Sequence, residues 1–140
     1  MPTLGERLAH AVAAKDHDAV RAVLAPDVDF RALTPGRAWE GTGPDVVVAT
    51  LFGHWFEDHD EVEALLGVEV GEPVEDTERV AYRLALRTPT GGRTAEQQAY
   101  YRGDEDGRIA HLRIMCSGFR PTRTTRPTRR ADAEDDAATG

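Results

Sequence analysis

Residues 93–121, RTAEQQAYYRGDEDGRIAHLRIMCSGFRP, constrain the chain more than any other stretch. Two runs rich in β-branched, aromatic and apolar residues flank Asp104-Glu105-Asp106-Gly107, whose final glycine takes positive φ without a Cβ penalty. That is the pattern of a long β-hairpin. It also holds the only cysteine of the chain and two adjacent glutamines inside a strand-like run.

The preceding segments show the same period of two. Val62, Ala64, Leu66, Val68 and Val70 alternate with mostly polar residues. In 79–88, Val80, Tyr82, Leu84 and Leu86 share one face, with Arg83 and Arg87 on the other. A turn at 89–92 leads into the hairpin. The N-terminal third has the helical period instead. Thr3 and Glu6 have capping-box spacing before a helix over 4–14 with Leu4, Leu8, Ala11 and Val12 on one side. Asp16 caps a second helix over 17–25 that carries Val20, Val23 and Leu24, and Pro26 follows its end. Residues 28–33 read as a strand broken by Thr34-Pro35-Gly36. Pro44 opens a third helix over 44–57 with a wide apolar stripe: Val47, Val48, Leu51, Phe52 and Trp55. Three helices with one strand among them, followed by four antiparallel strands, make an α+β chain.

At 140 residues with 40% hydrophobic and 30% charged side chains, the chain can bury one proper core. One domain is expected over 1–121. Residues 122–140 hold four arginines, then four acids, with no apolar period, and read as a disordered tail. A net charge of −8 opposes nucleic acid or anionic membrane as a partner. No run reaches the roughly 18 apolar residues of a membrane span, and the N-terminus lacks a signal-peptide core. With a single cysteine, the expected location is cytoplasmic.

The element order, the Lys15-Asp16-His17-Asp18 junction and Glu40-Gly41 before Pro44 resemble the nuclear transport factor 2-like superfamily. More narrowly, the chain resembles its SnoaL-like branch, which includes polyketide cyclases and ketosteroid isomerase. The resemblance covers about residues 4–120. It implies a strongly curved antiparallel sheet wrapped around three N-terminal helices, a cone-like α+β barrel enclosing an apolar pocket, in a homodimer packed through the sheet. Ketosteroid isomerase works with a base and an oxyanion hole made of a tyrosine and a protonated aspartic acid. Laid on this chain without gaps, those positions fall on Ala32, Leu8 and Ala99. None of these can move a proton, so that mechanism does not carry over. The Asp-Arg-Asp arrangement of the related epoxide hydrolases finds no inward-facing acid on the last strands.

Taking 104–107 and 89–92 as four-residue turns pairs Gln97 with Ile114 and Leu84 with Gln97. Either turn puts the same side chains inward, namely Tyr82, Leu84, Gln97, Tyr101, Leu112, Ile114 and Cys116. A one-residue slip would bury Glu96, Arg113 and Arg83 together. With His54 and Trp55 from the third helix, these nine residues form the expected pocket. Cys116 has no His or Lys beside it in the pairing and reads as a small buried apolar residue. Gln97 either orients a ligand carbonyl or satisfies Tyr82 or Tyr101. His54 reads as a half-exposed helix histidine, with a base facing the cavity as the alternative. His54 and His59 stand about 140° apart on a continuing helix and cannot share a metal. No metal or cofactor is expected.

The reading is a domain that binds a hydrophobic small molecule without assigned catalysis. The alternatives are an isomerase, cyclase or hydratase acting on a hydrophobic substrate, and a protein-interaction module.

Overall fold

The structure, a computed structural model, describes residues 2–121 and two further two-residue strands, Asp135–Asp136 and Ala138–Thr139, that pair with each other. The expectation for the tail therefore falls mostly outside the described residues.

Helix α1 (Leu4–Ala13) starts as its sequence dictates. The Glu6 N–H donates to Thr3 Oγ1 at 3.1 Å, and the Thr3 N–H donates to Glu6 Oε1 at 2.8 Å. Its buried face, with Leu8 and Val12, docks on the sheet. Gly5 makes that docking possible, since a Cβ there would come within 2.8 Å of both Val80 and Tyr101. The bare Gly5 N–H instead donates to the Tyr101 hydroxyl at 2.9 Å. Helix α2 (His17–Ala22) is capped by Asp16, which accepts from the Ala19 N–H at 3.0 Å.

This second helix stops three residues short of expectation. Pro26 pushes the residue before it toward extended backbone. The segment enters β1 (Leu24–Thr34) at once, and the Ile109 N–H donates to Val23 O at 2.8 Å. Pro35-Gly36 does not simply end that strand. It turns the chain into β2 (Arg37–Thr42), which pairs antiparallel with β1. This strand was not expected, because an edge strand with no fully buried residue needs no apolar alternation.

Helix α3 (Pro44–Thr50) is also shorter than expected. Residues Leu51–Trp55 continue it as a π-helical turn, closed by the Phe56 N–H donating to Leu51 O at 2.7 Å. Gly53, a poor helix former, lies inside this turn. The widened turn still buries Leu51, Phe52, Trp55 and Phe56 together.

The remaining strands are β3 (Glu61–Val70), β4 (Glu78–Thr88), β5 (Gly91–Gly103), β6 (Ile109–Cys116) and the short β7 (Arg120–Pro121). They join one open sheet of order β2-β1-β6-β5-β4-β3, with β7 on β5. Pairing is antiparallel except between β1 and β6, which run parallel. The architecture is α+β, with the helices packed on the inner face of the sheet. No helix among the described residues is long and apolar enough to cross a membrane.

Strand register differs from expectation by two residues at both turns. Gln97 pairs with Cys116 rather than Ile114, and with Tyr82 rather than Leu84. The β4–β5 loop is only Pro89-Thr90, since Thr88 pairs with Gly91, and opposite the Arg102–Gly103 step of β5 the extra residue Ala110 makes a bulge in β6. A shift of two preserves the faces. Tyr82, Leu84, Leu86, Gln97, Ala99, Tyr101, Leu112 and Ile114 are all buried, while Arg83, Arg87 and Tyr100 face outward. On the outer face Arg83 pairs with Glu96 and Arg87 with Glu63, both at 2.8 Å, in exposed bridges of small energetic weight.

Candidate functional site

Four chain segments meet at one end of the sheet and line an open cavity of about 690 Å³. The β1–β2 hairpin contributes Thr34, Pro35 and Trp39. The exit of α3 contributes His54, Trp55, Glu57, His59 and Asp60. The β4–β5 hairpin contributes Thr88, Pro89, Thr90 and Arg93. Cys116 at the end of β6, with Gly118, Phe119 and Arg120 after it, completes the wall. The lining mixes aromatic and charged groups, so it is more polar than the apolar pocket expected from the sequence.

The aromatic wall is built outward from Trp55. Trp39 meets Trp55 edge to face with ring centres 6.0 Å apart, and His54 lies 5.1 Å from Trp39. The Arg37 guanidinium sits 3.6 Å over the Trp39 ring, a cation–π contact. The two indoles differ in one respect. The Trp39 N–H donates to Thr34 Oγ1 at 2.8 Å, whereas the buried Trp55 N–H has no partner among the described residues. On the opposite side Phe119 stacks on Phe56 with centres 5.5 Å apart.

The loop after α3 is tied down by Lys15, the only lysine of the chain. Its ammonium donates to Glu57 O at 2.6 Å and also to Asp60 O. The carboxylate of Asp60, almost fully buried, accepts from the Glu57 N–H at 3.3 Å and lies 3.6 Å from His59 Nε2. Arg93 is held by its own hairpin, donating to Thr90 Oγ1 at 2.9 Å and to Gly92 O at 2.9 Å.

Directly behind Cys116 lies a buried polar pair. The Tyr82 hydroxyl donates to Gln97 Oε1 at 2.6 Å, and Gln97 faces Cys116 across β5 and β6. Burial foremost, and then the neighbouring Cys116, push the Tyr82 phenol above its ordinary range, so it stays protonated as a donor. The Gln97 amide nitrogen has no partner among the described residues.

Of the nine residues expected to form the pocket, His54, Trp55 and Cys116 line this cavity. Tyr82, Leu84, Gln97, Tyr101, Leu112 and Ile114 lie in the packed core beneath it. Tyr101 is committed to the Gly5 N–H. His54 and His59 do line one cavity, because the helix ends between them at Trp55. Among the described residues no group of three or more His, Cys, Asp or Glu side chains is placed to hold a metal ion. Trp39, Asp60, Arg93 and Phe119 were not anticipated. The aromatic Trp39 between two turn signals was the one hint in the sequence.

No protein-family model matches the chain, and no curated protein matches it by sequence. Solved structures do. An LEH-like epoxide hydrolase of M. tuberculosis superposes with a TM-score of 0.60 at 17% identity, over 81% of this chain and 80% of that one. A ketosteroid isomerase-like protein of Erwinia carotovora atroseptica gives 0.62 at 17% identity, over 84% and 92%. A computationally designed 17-OHP binder gives 0.58 at 19% identity, over 79% and 88%. The chain thus has the nuclear transport factor 2-like, SnoaL-like fold. The positions matched to the ketosteroid isomerase groups, Leu8, Ala32 and Ala99, are buried apolar side chains.

Proposed function

We propose that the chain binds a small hydrophobic molecule in the cavity between the two hairpins and the exit of α3, and we assign it no catalytic step. The observation that carries this reading is the cavity. At about 690 Å³ it lies within the range of about 300–1,000 Å³ common to ligand pockets, and Trp39, Trp55 and Phe119 give its otherwise polar wall an aromatic part. The similarity to a designed 17-OHP binder supports the same reading, because that fold accepts such a molecule in another sequence. His54, Trp55 and Cys116 are the proposed contacts in the wall, and Gln97 with Tyr82 is the polar support behind it.

A panel of aromatic ketones, steroids among them, tests the proposal by thermal shift and by thiol labelling of the native protein. A bound molecule at a hundred times its Kd should add about 2.7 kcal/mol to stability and slow the labelling of Cys116. A panel in which no member raises Tm or protects the thiol would sink this reading.

The same proposal includes a homodimer packed through the outer sheet face. Leu33 and Met115, paired across β1 and β6, are 51% and 58% exposed there, with Tyr100 nearby at 40%. Such a cluster of exposed apolar side chains favours a protein contact. Sedimentation at micromolar concentration is expected to give twice the chain mass of 15.3 kDa, and a clean monomer counts against it.

A further inference from the structure

Lys15 stands at a backbone position of a kind that this chain mostly gives to glycine. Helix α1 ends in a Schellman arrangement, in which the Lys15 N–H donates to Val12 O and the Asp16 N–H to Ala11 O, both at 3.0 Å. Such an ending needs a left-handed residue, and Lys15 takes φ +54°. Among the described residues, glycines such as Gly36, Gly67 and Gly107 hold the comparable angles, and Glu75 is the one other residue with a Cβ that does. Left-handed backbone disfavours any side chain, so a lysine kept there has a use that outweighs the strain.

The use lies 42 and 45 residues further along. The Lys15 ammonium donates to Glu57 O at 2.6 Å and to Asp60 O. Both carbonyls belong to the loop that leads from the π-helical turn into β3, and Glu57, His59 and Asp60 of that loop line the cavity. Inside the loop the Asp60 N–H donates to Glu57 O at 2.9 Å, and the Glu57 N–H donates to the Asp60 carboxylate at 3.3 Å. That carboxylate in turn lies 3.6 Å from His59 Nε2. The ammonium thus ties the α1–α2 junction to the one loop that carries all three side chains. An ammonium is a compact charge with three donors on a flexible stem, which suits two carbonyls, whereas a guanidinium presents its donors as a planar fork. Arginine fills the other sixteen of the seventeen Lys and Arg positions.

From this we infer that Lys15 is a positioning residue of the binding site: its ammonium holds residues 57–60 in shape as a wall of the cavity, so that ligand binding and the order of this loop are coupled. This rests on the cavity being a small-molecule site and deepens that reading by naming what shapes it. Without the ammonium the loop keeps only part of its ties, and a ligand must order the wall before using it. Such coupling runs both ways, so a molecule bound against the wall also steadies the loop.

The test compares the native protein with Lys15→Gly, which suits the left-handed backbone, and Lys15→Met, which keeps the hydrocarbon stem. Backbone order parameters are read first by ¹⁵N relaxation, without ligand. In both variants those of residues 57–60 are expected to fall from the rigid value of about 0.85 to below about 0.6, while those of Gln97 and Ile114 in the central strands stay put. The probe is then 2-naphthol, a small fluorescent aromatic, titrated well below Tm. If the freed loop holds its binding shape about one tenth of the time, the apparent Kd rises about tenfold in both variants. A lysine that served stability alone would lower Tm and leave that Kd where it was. Equal 2-naphthol affinity in all three proteins therefore overturns the inference, and so do unchanged order parameters at 57–60. A Lys15→Met variant that matches the native protein assigns the hold to the stem and overturns it as well. In the native protein the amide signals of Glu57 and Asp60 are expected to move as 2-naphthol binds, a readout that needs no variant, and signals that stay put mean that this loop is no wall of the site. Should 2-naphthol fail to bind the native protein, the small-molecule reading loses its support and the positioning role falls with it. The order parameters are read without ligand, so that failure is told apart from a loop that Lys15 does not hold.

Discussion

Replacing Phe56 with alanine is expected to lower the free energy of unfolding by about 3–5 kcal/mol, the usual cost of emptying a buried phenylalanine site. Phe56 is 1% exposed and closes the π-helical turn that presents His54 and Trp55. Its ring stacks on Phe119, which lines the far side of the cavity. One side chain thus joins two walls of the site to the core. A domain of this kind has about 5–15 kcal/mol in total, so the variant should unfold at markedly lower urea. Phe119→Ala makes a useful comparison. Phe119 is only partly buried, so its loss should cost less stability yet open the cavity. Urea denaturation followed by tryptophan fluorescence measures both. A loss under about 1 kcal/mol for Phe56→Ala would mean that the π-turn is not anchored as described.

The second large effect concerns the buried Tyr82–Gln97 pair. Among the described residues the Tyr82 hydroxyl is the one partner of the Gln97 side-chain amide, so Tyr82→Phe should cost about 1–3 kcal/mol by leaving that desolvated amide without it. Gln97→Leu strands the Tyr82 hydroxyl and should cost a similar amount. The double replacement removes both polar groups at once and is expected to be more stable than either single change, giving a clear coupling energy. Costs that simply add would show that the two groups do not depend on each other. The pH dependence has a definite sign. The phenol ionises less readily folded than unfolded, so its contribution is complete below the unfolded tyrosine value of about 10 and is lost only as pH rises beyond it. Between pH 5 and 9 the pair should contribute no slope.

The elements that were legible in the sequence are those governed by neighbours a few residues apart. The Thr3–Glu6 capping box sets the start of α1 because its partners lie within one turn. The alternation in 79–88 and 93–103 assigns the sheet faces correctly, so Tyr82, Leu84, Gln97 and Tyr101 were expected inward and are buried. Pairing was out by two residues at both hairpins, and the same physics explains both facts. Side chains repeat every two residues, so an even slip leaves the faces unchanged and invisible to pattern. Loop length and the bulge at Ala110 then choose among even registers.

Other features arose only in three dimensions. The edge strand β2 buries none of its side chains fully, and its sequence carries no alternation to read. The π-turn at Leu51–Trp55 breaks the 3.6 period just where His54 and Trp55 are presented. The cavity itself gathers side chains from 34–39, 54–60, 88–93 and 116–120, segments far apart along the chain. Local periodicity therefore determined which side chains leave the surface. Only the folding of the sheet on the helices decided which of them pack solidly, as Leu112 and Ile114 do, and which border open space, as Trp55 and Cys116 do. That choice depends on how hairpin ends and a helix exit fit together, a long-range property that no repeat along the chain encodes.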